Sequence, residues 1–407
     1  MQITTRDCPP RTVWALEQAG VHPLLARLFA ARGVQAPEEL DDNLVKLLSP
    51  NTLKGIDEAA QILVEAIEQQ AHICIVADYD CDGATACAVG IRGLRLLGSK
   101  NAHYLVPDRV ADGYGLTPGI ASRVKASGAA VLVTVDNGIA SFEGVEKAHE
   151  LGMKVVVTDH HLPAMRDGIV AVPDADAIVN PNQPGCDFAS KTIAGVGVMF
   201  YVLLRMRALM RDAGVFDATT QPKLDHLLPL VALGTVADVV SLDANNRRLV
   251  AQGLRRIRAG LLPVGMSALF QIAGRQPQVA NTADFGFALG PRLNAAGRLA
   301  DMTLGIECLV TDDLSRATEL AQSLDRINRE RKTIEGHMRD QALALAEDML
   351  DSDAHIPAAI CIFDPDFHEG VVGIVASRLK DKWHRPTFVF AMSQGDDTGD
   401  TLKGSGR

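Results

Sequence analysis

Aromatic residues make up only 4% of the 407-residue chain, with 2 Trp and 4 Tyr among them. A protein that stacks nucleobases along a row of rings normally carries more, so no stacking platform is evident. No apolar run approaches the ~20 residues needed to span a bilayer. The start, MQITTRDCPPRTVW, lacks the basic-then-apolar layout of a secretion signal. The 7 cysteines are odd in number and none forms a CxxC pair. Several sit in apolar runs, where cysteine behaves as a small hydrophobe. That argues against a disulfide framework or a zinc ribbon and for reduced thiols in a cytoplasm. Basic charge is short as well: 40 Lys and Arg against 50 Asp and Glu give −10. Phosphate binders usually leave a basic footprint. Only RRLVAQGLRRIR (247–258) and DRINRERK (325–332) are locally basic, and solvated helix faces account for each segment taken separately.

What is present is an ordinary globular composition, 47% apolar and 22% charged, long enough for two domains. Residues 1–50 read as helical and connective, with VHPLLARLFAARG forming one amphipathic helix closed by Gly33. An alternation follows: helix Asp57–Gln69, strand 72–77, helix 84–97, strand 102–106 and a Gly-rich loop, DRVADGYGLTPG. Helix 119–127, strand 131–136, helix 141–151 and strand 154–158 continue it. Apolar strands alternating with amphipathic helices indicate a parallel sheet covered on both faces. Beyond Pro184 the pattern predicts helices over 192–212, 223–236 and 246–259.

Residues 312–350 contain no proline and, apart from Gly336, no breaker. They read as one long helix or two nearly continuous ones, too polar for full burial and suited to connect domains. A βαβ pattern then restarts, with strand 357–363, helix 370–381 and strand 387–392. The final TLKGSGR reads as a strand and turn without a partner. The expected fold is therefore α/β: a helical segment 1–50, a parallel-sheet domain 51–311, a connecting helix 312–350 and a smaller α/β domain 351–407, incomplete at its C-terminal end.

In an open parallel sheet, ligands bind beyond the carboxyl ends of the strands. Here the first strand ends in DYDCDG (78–83), the third in DNG (136–138) and the fourth in TDHH (158–161). LGTVAD (233–238) adds a further acid after an apolar helical run. One Asp after a strand is usually a helix cap, and NG is usually a turn. Their concurrence at neighbouring strand ends is harder to dismiss. Crowded carboxylates repel one another unless a cation neutralises them. Oxygen ligands with imidazole suit Mn²⁺ or Mg²⁺ better than zinc. Their number suits two ions about 3.5–4 Å apart, and hence phosphoester hydrolysis.

DYDCDG, VDNG, DHH and the later Asp238 resemble the four motifs of the DHH phosphoesterase superfamily. VPDRVADGYGL, LGPRLNAAGRL, HEGVVGIVASRL and the terminal LKGSGR extend the resemblance, over the whole chain, to the single-strand-specific exonucleases of that superfamily. The resemblance implies a parallel-sheet DHH domain joined by a long helix to a DHHA1-like nucleic-acid-binding domain. It further implies a Mn²⁺- or Mg²⁺-dependent enzyme, with one or two ions, that degrades single-stranded DNA from its 5′ end to mononucleotides in recombination and repair. Single-strand-binding protein and a RecQ-type helicase are the implied partners. Motif by motif, Asp80, Asp82, Asp136, His160 and Asp238 are the implied metal ligands, with Asp136 bridging. Asp78 and Asp159 would orient them, and His161 would contact the scissile phosphate or assist proton transfer.

The softer motifs name Arg109, Tyr114, Arg292, Asn294, Arg298, His368, Ser405 and Arg407 as substrate contacts. Asn294 and Gly297 are open to a reading as helix caps, and His368 as part of a cap. Val76 stands where some relatives have a histidine. One metal position would then be a ligand short, with a second ion recruited alongside substrate. Two other activities share this scaffold: a phosphatase for short oligonucleotides or nucleotides, and a non-catalytic scaffold gripping single-stranded DNA. The intact acids disfavour the scaffold. The long helix and the GPRLNAAGRL segment favour the exonuclease.

Overall fold

The computed structural model describes residues 4–108, 112–166, 168–352, 357–393 and 401–407. Two short helices, α1 (Pro10–Gln18) and α2 (Pro23–Ala30), open the chain where the sequence predicts one. Proline occupies the first helical turn of each, where its missing N–H costs nothing. The alternation that follows is α3 (Ile56–Glu68), β1 (Ile73–Ala77), α4 (Cys81–Leu96), β2 (Ala102–Leu105), α5 (Pro118–Ala126), β3 (Val131–Val135), α6 (Phe142–Glu150) and β4 (Lys154–Thr158). A hairpin, β5 (Ala164–Arg166) with β6 (Ile169–Ala171), and a further strand, β7 (Ala177–Val179), were not legible. Each is only three residues long, too short for an alternation to register.

The sheet is parallel throughout, in the order β2-β1-β3-β4-β7. Alternate residues feed opposite faces. Ile73, Ile75 and Ala77 of β1 join the large core with α3 and α4, whereas Cys74 and Val76 face the second core with α5 and α6. Val76 is thus a fully buried core residue. The strand order reverses between β1 and β3, and the crevice where ligands bind in such sheets opens at that point.

A helical layer follows: α7 (Gly195–Asp212), α8 (Leu228–Ala237), α9 (Ala244–Arg258) and α10 (Val264–Ile272). A single turn, α11 (Thr282–Asp284), runs through a π-helical stretch (Phe285–Leu289) into α12 (Gly290–Leu299) and then α13 (Thr303–Val310). The connector is one unbroken helix, α14 (Leu314–Ser352), that continues through Gly336. Its first half packs on α10, α12 and α13, and its second half on α15 (Val372–Trp383). Beyond it lie β8 (Ile360–Phe363), α15, β9 (Thr387–Met392) and β10 (Leu402–Gly406). The expectation that TLKGSGR lacks a partner is corrected. β10 pairs antiparallel with β9, completing a sheet in the order β10-β9-β8.

The basic run 247–258 is not a solvated helix face either. Arg247 pairs with Glu39, Arg255 with Asp42 and Arg256 with Asp225. Arg248 donates to the carbonyls of Asp41 (2.9 Å) and Glu38 (3.2 Å). α9 therefore clasps the N-terminal segment through arginines on one face. Arg248→Ala would strand two backbone carbonyls at a nearly buried position. The expected loss is about 2 kcal/mol in urea unfolding, with faster limited proteolysis of the N-terminal segment.

Candidate metal centre and cleft

The acids converge because strand ends and helix starts coincide at the crevice. Asp80 caps α4, its carboxylate accepting from the Gly83 N–H at 2.9 Å, as N-cap aspartates do. Asp82 follows in the first turn and is fully buried. Its two oxygens accept from the N–H groups of Gly195 (2.6 Å) and Val196 (3.0 Å) at the start of α7, where the helix dipole favours negative charge. Asp136 leaves β3 at φ +62°, in the left-handed region that few side chains adopt. Gly195 makes room for it, since a Cβ there would lie 2.7 Å from the Cβ of Asp136. β4 delivers Asp159, His160 and His161, and Asp238 ends α8.

His160 Nε2 lies 3.1 Å from Asp136 Oδ1, 3.5 Å from Asp238 Oδ2 and 4.0 Å from Asp82 Oδ2. Asp136 Oδ1, His160 Nε2 and Asp238 Oδ2 are buried without a hydrogen-bond partner. Buried polar atoms left unpaired are costly, and these three face one another. Three sets each bring ligand atoms within 4.8 Å: Asp82, His160 and Asp238; Asp136, His160 and His161; Asp78, Asp80 and Asp136. This oxygen-rich donor set with imidazole fits a hard divalent cation.

The electrostatics agree. Burial, with Asp80 beside them, pushes Asp78 and Asp82 each up to about 7. Burial and the Asp82 charge do the same for Asp238, also to about 7. Asp136 is driven well above the carboxylate range by burial and then by Asp82 and Asp80. Burial draws His160 below its ordinary value. Asp159 behaves oppositely. Burial opposes its charge, yet His161 Nδ1 at 2.7 Å and the N–H groups of Ile139, His160 and His161 hold it below the usual value. The same hydrogen bond raises His161 to about 9, so this imidazole is cationic at neutral pH.

Beside the acids, which do not themselves line it, a cleft of about 890 Å³ is walled by residues of both domains. Tyr79, Tyr114, Arg123, Arg298, His368, Lys403, Ser405 and Arg407 line it. The Tyr114 ring stands edge-on to Tyr79 (5.8 Å) and His161 (6.4 Å), and its hydroxyl is hydrogen-bonded to Asp78. Arg298 donates to the Gly370 carbonyl at 3.3 Å, while the Gly370 N–H donates to His368 Nδ1 at 3.0 Å. His368 thus closes the turn ahead of α15 without capping the helix, whose N-cap is Val371 and takes no side-chain bond, and it also lines the cleft. Arg109 lies outside the described residues.

Two residues read as substrate contacts are engaged elsewhere. Arg292 is bound to Asp325 of α14 (2.9 and 2.8 Å) and to the Ala288 carbonyl. Asn294 Oδ1 accepts from the Cys81 N–H at 2.7 Å and so caps α4 from outside. Gly297 lets α12 close on the same turn, for a Cβ there would stand 1.9 Å from the Tyr79 carbonyl oxygen. GPRLNAAGRL thus props the DYDCDG turn rather than offering a row of phosphate contacts. Arg123, paired with Asp112 at 2.6 Å, lines the cleft without a motif to announce it, and Lys403 of LKGSGR lines it beside Glu369 at 3.5 Å. Gly195 and Val196 likewise act through backbone N–H groups that no side-chain pattern marks.

Because the centre is over-charged without a cation, Asp136→Asn is expected to raise the Tm of the metal-free protein by at least about 2 °C and to abolish stabilisation by Mn²⁺. The sign follows from linkage. A carboxyl whose native pKa is raised costs stability once the unfolded chain ionises, near 3.8. The advantage of the variant should therefore widen as pH rises from about 4 towards 7. Thermal scans of both proteins across that range, with and without Mn²⁺, measure it.

Residues 72–235 match the model of the DHH family, N-terminal domain. Over 391 residues the chain is 50% identical to the single-stranded-DNA-specific exonuclease RecJ of Salmonella typhimurium, covering 96% of this chain and 66% of that protein. The chain thus spans just under two thirds of the length of this curated relative. Among solved structures, an exonuclease RecJ bound to manganese matches with a TM-score of 0.73 at 34% identity, over 84% of this chain and 82% of that one. RecJ from Thermus thermophilus in complex with Mn²⁺ matches at 0.75 and 33% identity, over 94% of this chain and 52% of that one. On the strength of 34% identity to a solved exonuclease RecJ over 82% of that chain and 50% identity to a curated one over 96% of this chain, the chain belongs to the RecJ family of DHH proteins.

Proposed function

We propose that this chain is a divalent-metal-dependent 5′-to-3′ exonuclease that hydrolyses single-stranded DNA to 5′-mononucleotides, serving recombination and repair. The observation that carries it is the trio of unpartnered ligand atoms on Asp136, His160 and Asp238, next to a cleft that holds arginine and lysine and whose Tyr114 reaches Asp78 and His161. The relatives' names, and the solved relatives in complex with Mn²⁺ or Mg²⁺, support it.

Asp80, Asp82, Asp136, His160 and Asp238 would hold Mn²⁺ or Mg²⁺. A cation bound there supplies Lewis-acid polarisation of the phosphate and activation of water. The chain's own groups do the positioning. Asp159 fixes the His161 ring through Nδ1, and cationic His161 can donate to a phosphate oxygen or to the leaving oxygen. Asp78 orients Tyr114 at the mouth. Arg298, Arg407 and Lys403 offer charge to phosphates along the cleft, where Ser405 adds a hydroxyl. A cleft between two domains admits one strand and excludes a duplex. Single-strand-binding protein and a RecQ-type helicase are partners on the family likeness alone. A cytoplasmic setting fits cysteines that are all free, and no helix of the described residues is long and apolar enough to cross a membrane.

The test is Mn²⁺-dependent digestion of a 5′-phosphorylated single strand labelled at either end, beside the matched duplex. Mononucleotides should leave the 5′ end of the single strand, and Asp136→Ala should lower the rate more than about 100-fold. Equal rates on duplex would refute the single-strand reading. Hydrolysis confined to dinucleotides or nucleotide phosphates would move the activity to short substrates.

A further inference from the structure

Three large apolar side chains stand in solvent around the metal centre: Leu162, 78% exposed, Val239, 86% exposed, and Phe287, 84% exposed. Leu162 directly follows His161, and Val239 directly follows Asp238. The two loops meet at the cluster, since His160 Nε2 is 3.5 Å from Asp238 Oδ2. Phe287 sits on the π-helical stretch, which packs on α8; there a Cβ on Gly290 would lie 3.2 Å from that of Ala237. None of the three lines the basic cleft.

Two of these positions are held in costly local geometry. Val239 has φ +63°, an outlier for a β-branched residue. It is not buried, so packing of its own side chain does not explain the strain. The stretch Phe285–Leu289 is π-helical, a form found mostly as short insertions at functional sites. Phe285, Ala288 and Leu289 are buried while Phe287 is turned outward. Strain and exposed apolar surface that persist beside functional groups are a signature of a ligand contact.

We infer that Leu162, Val239 and Phe287 form an apolar seat for unpaired nucleobases of the strand beside the metal centre. The inference rests on the single-strand hydrolase reading. Leu162 and Val239 stand within one or two residues of His160 and Asp238, and Phe287 is carried by the stretch packed on α8, so a strand whose phosphate lies at the centre places neighbouring bases close by. Apolar side chains suit bases rather than phosphates, and stacking on them tolerates any sequence. A paired base has both faces covered by its neighbours in the helix and cannot use the seat. Selection for single strands would then come from chemistry as well as from the width of the cleft.

The experiment measures fluorescence anisotropy of phosphorothioate oligothymidylate and of an abasic strand of equal length, in Mn²⁺. The proteins are the parent chain and the variants Phe287→Ala, Phe287→Trp and Val239→Asn, the last because asparagine tolerates the left-handed backbone. The parent should prefer the base-bearing strand by about 10-fold or more, and Phe287→Ala should lower that preference about 10-fold. Val239→Asn should lower it in the same direction, and Phe287→Trp should retain it. The Mn²⁺-induced rise in Tm should be the same in all four, showing the centre intact. Unchanged preference in Phe287→Ala and Val239→Asn, in proteins that still bind and degrade single strands, overturns the seat alone. A parent chain that neither binds nor degrades a single strand overturns the hydrolase reading and the seat together.

Discussion

Like charges that must share one small volume set the terms for everything around them. Asp78, Asp80, Asp82, Asp136, Asp159 and Asp238 meet at the carboxyl end of a single parallel sheet, and burial together with their neighbours' charge pushes Asp78, Asp82, Asp136 and Asp238 towards the neutral form. The fold offsets part of this with backbone. The N-termini of α4 and α7 point N–H groups at Asp80 and Asp82, and His161 neutralises Asp159. Asp136 and Asp238 receive no such help at the oxygens that face His160. What the backbone leaves unpaired is what a cation would complete.

The support around this centre works at very close range. Gly195 and Gly297 stand where a methyl group would collide with Asp136 or with the Tyr79 carbonyl. Asn294 reaches across from α12 to the first N–H of α4, and Arg292 ties α12 to α14 through Asp325. The connector helix is thereby coupled to the DYDCDG turn by one chain of contacts. Because α14 also packs against α15, the position of the second domain and the geometry of the acids depend on the same elements. Preorganised support of this kind normally governs how well metal ligands are held.

The parallel sheet and the site acids were legible because both are written locally. An apolar strand followed by an acid needs only a few adjacent residues, and the order of DYDCDG, DNG and DHH along the chain carried the resemblance. The failures have two causes, short elements and distant partners. Three-residue strands such as β7 and the β5–β6 hairpin lack the length to show a period. Arg292 looked like a phosphate ligand because arginine beside glycines often is one, but Asp325, which claims it, lies 33 residues away. The arginines of α9 looked solvated because their partners in the N-terminal segment lie some 200 residues earlier, as with Arg248 and Asp41.

By itself, then, the chain's residue order determined the fold class, the alternation that builds the sheet and which acids end its strands, since these follow from neighbour-to-neighbour periodicity. Only the tertiary structure decided which of those acids keep an unpaired oxygen, which arginines remain for the cleft and that Leu402–Gly406 has a partner in β9. The physical reason is that a polar group's fate depends on whatever donor or acceptor packing brings within about 3 Å, and that group can lie far off in the chain, as Asn294 lies 213 residues from Cys81.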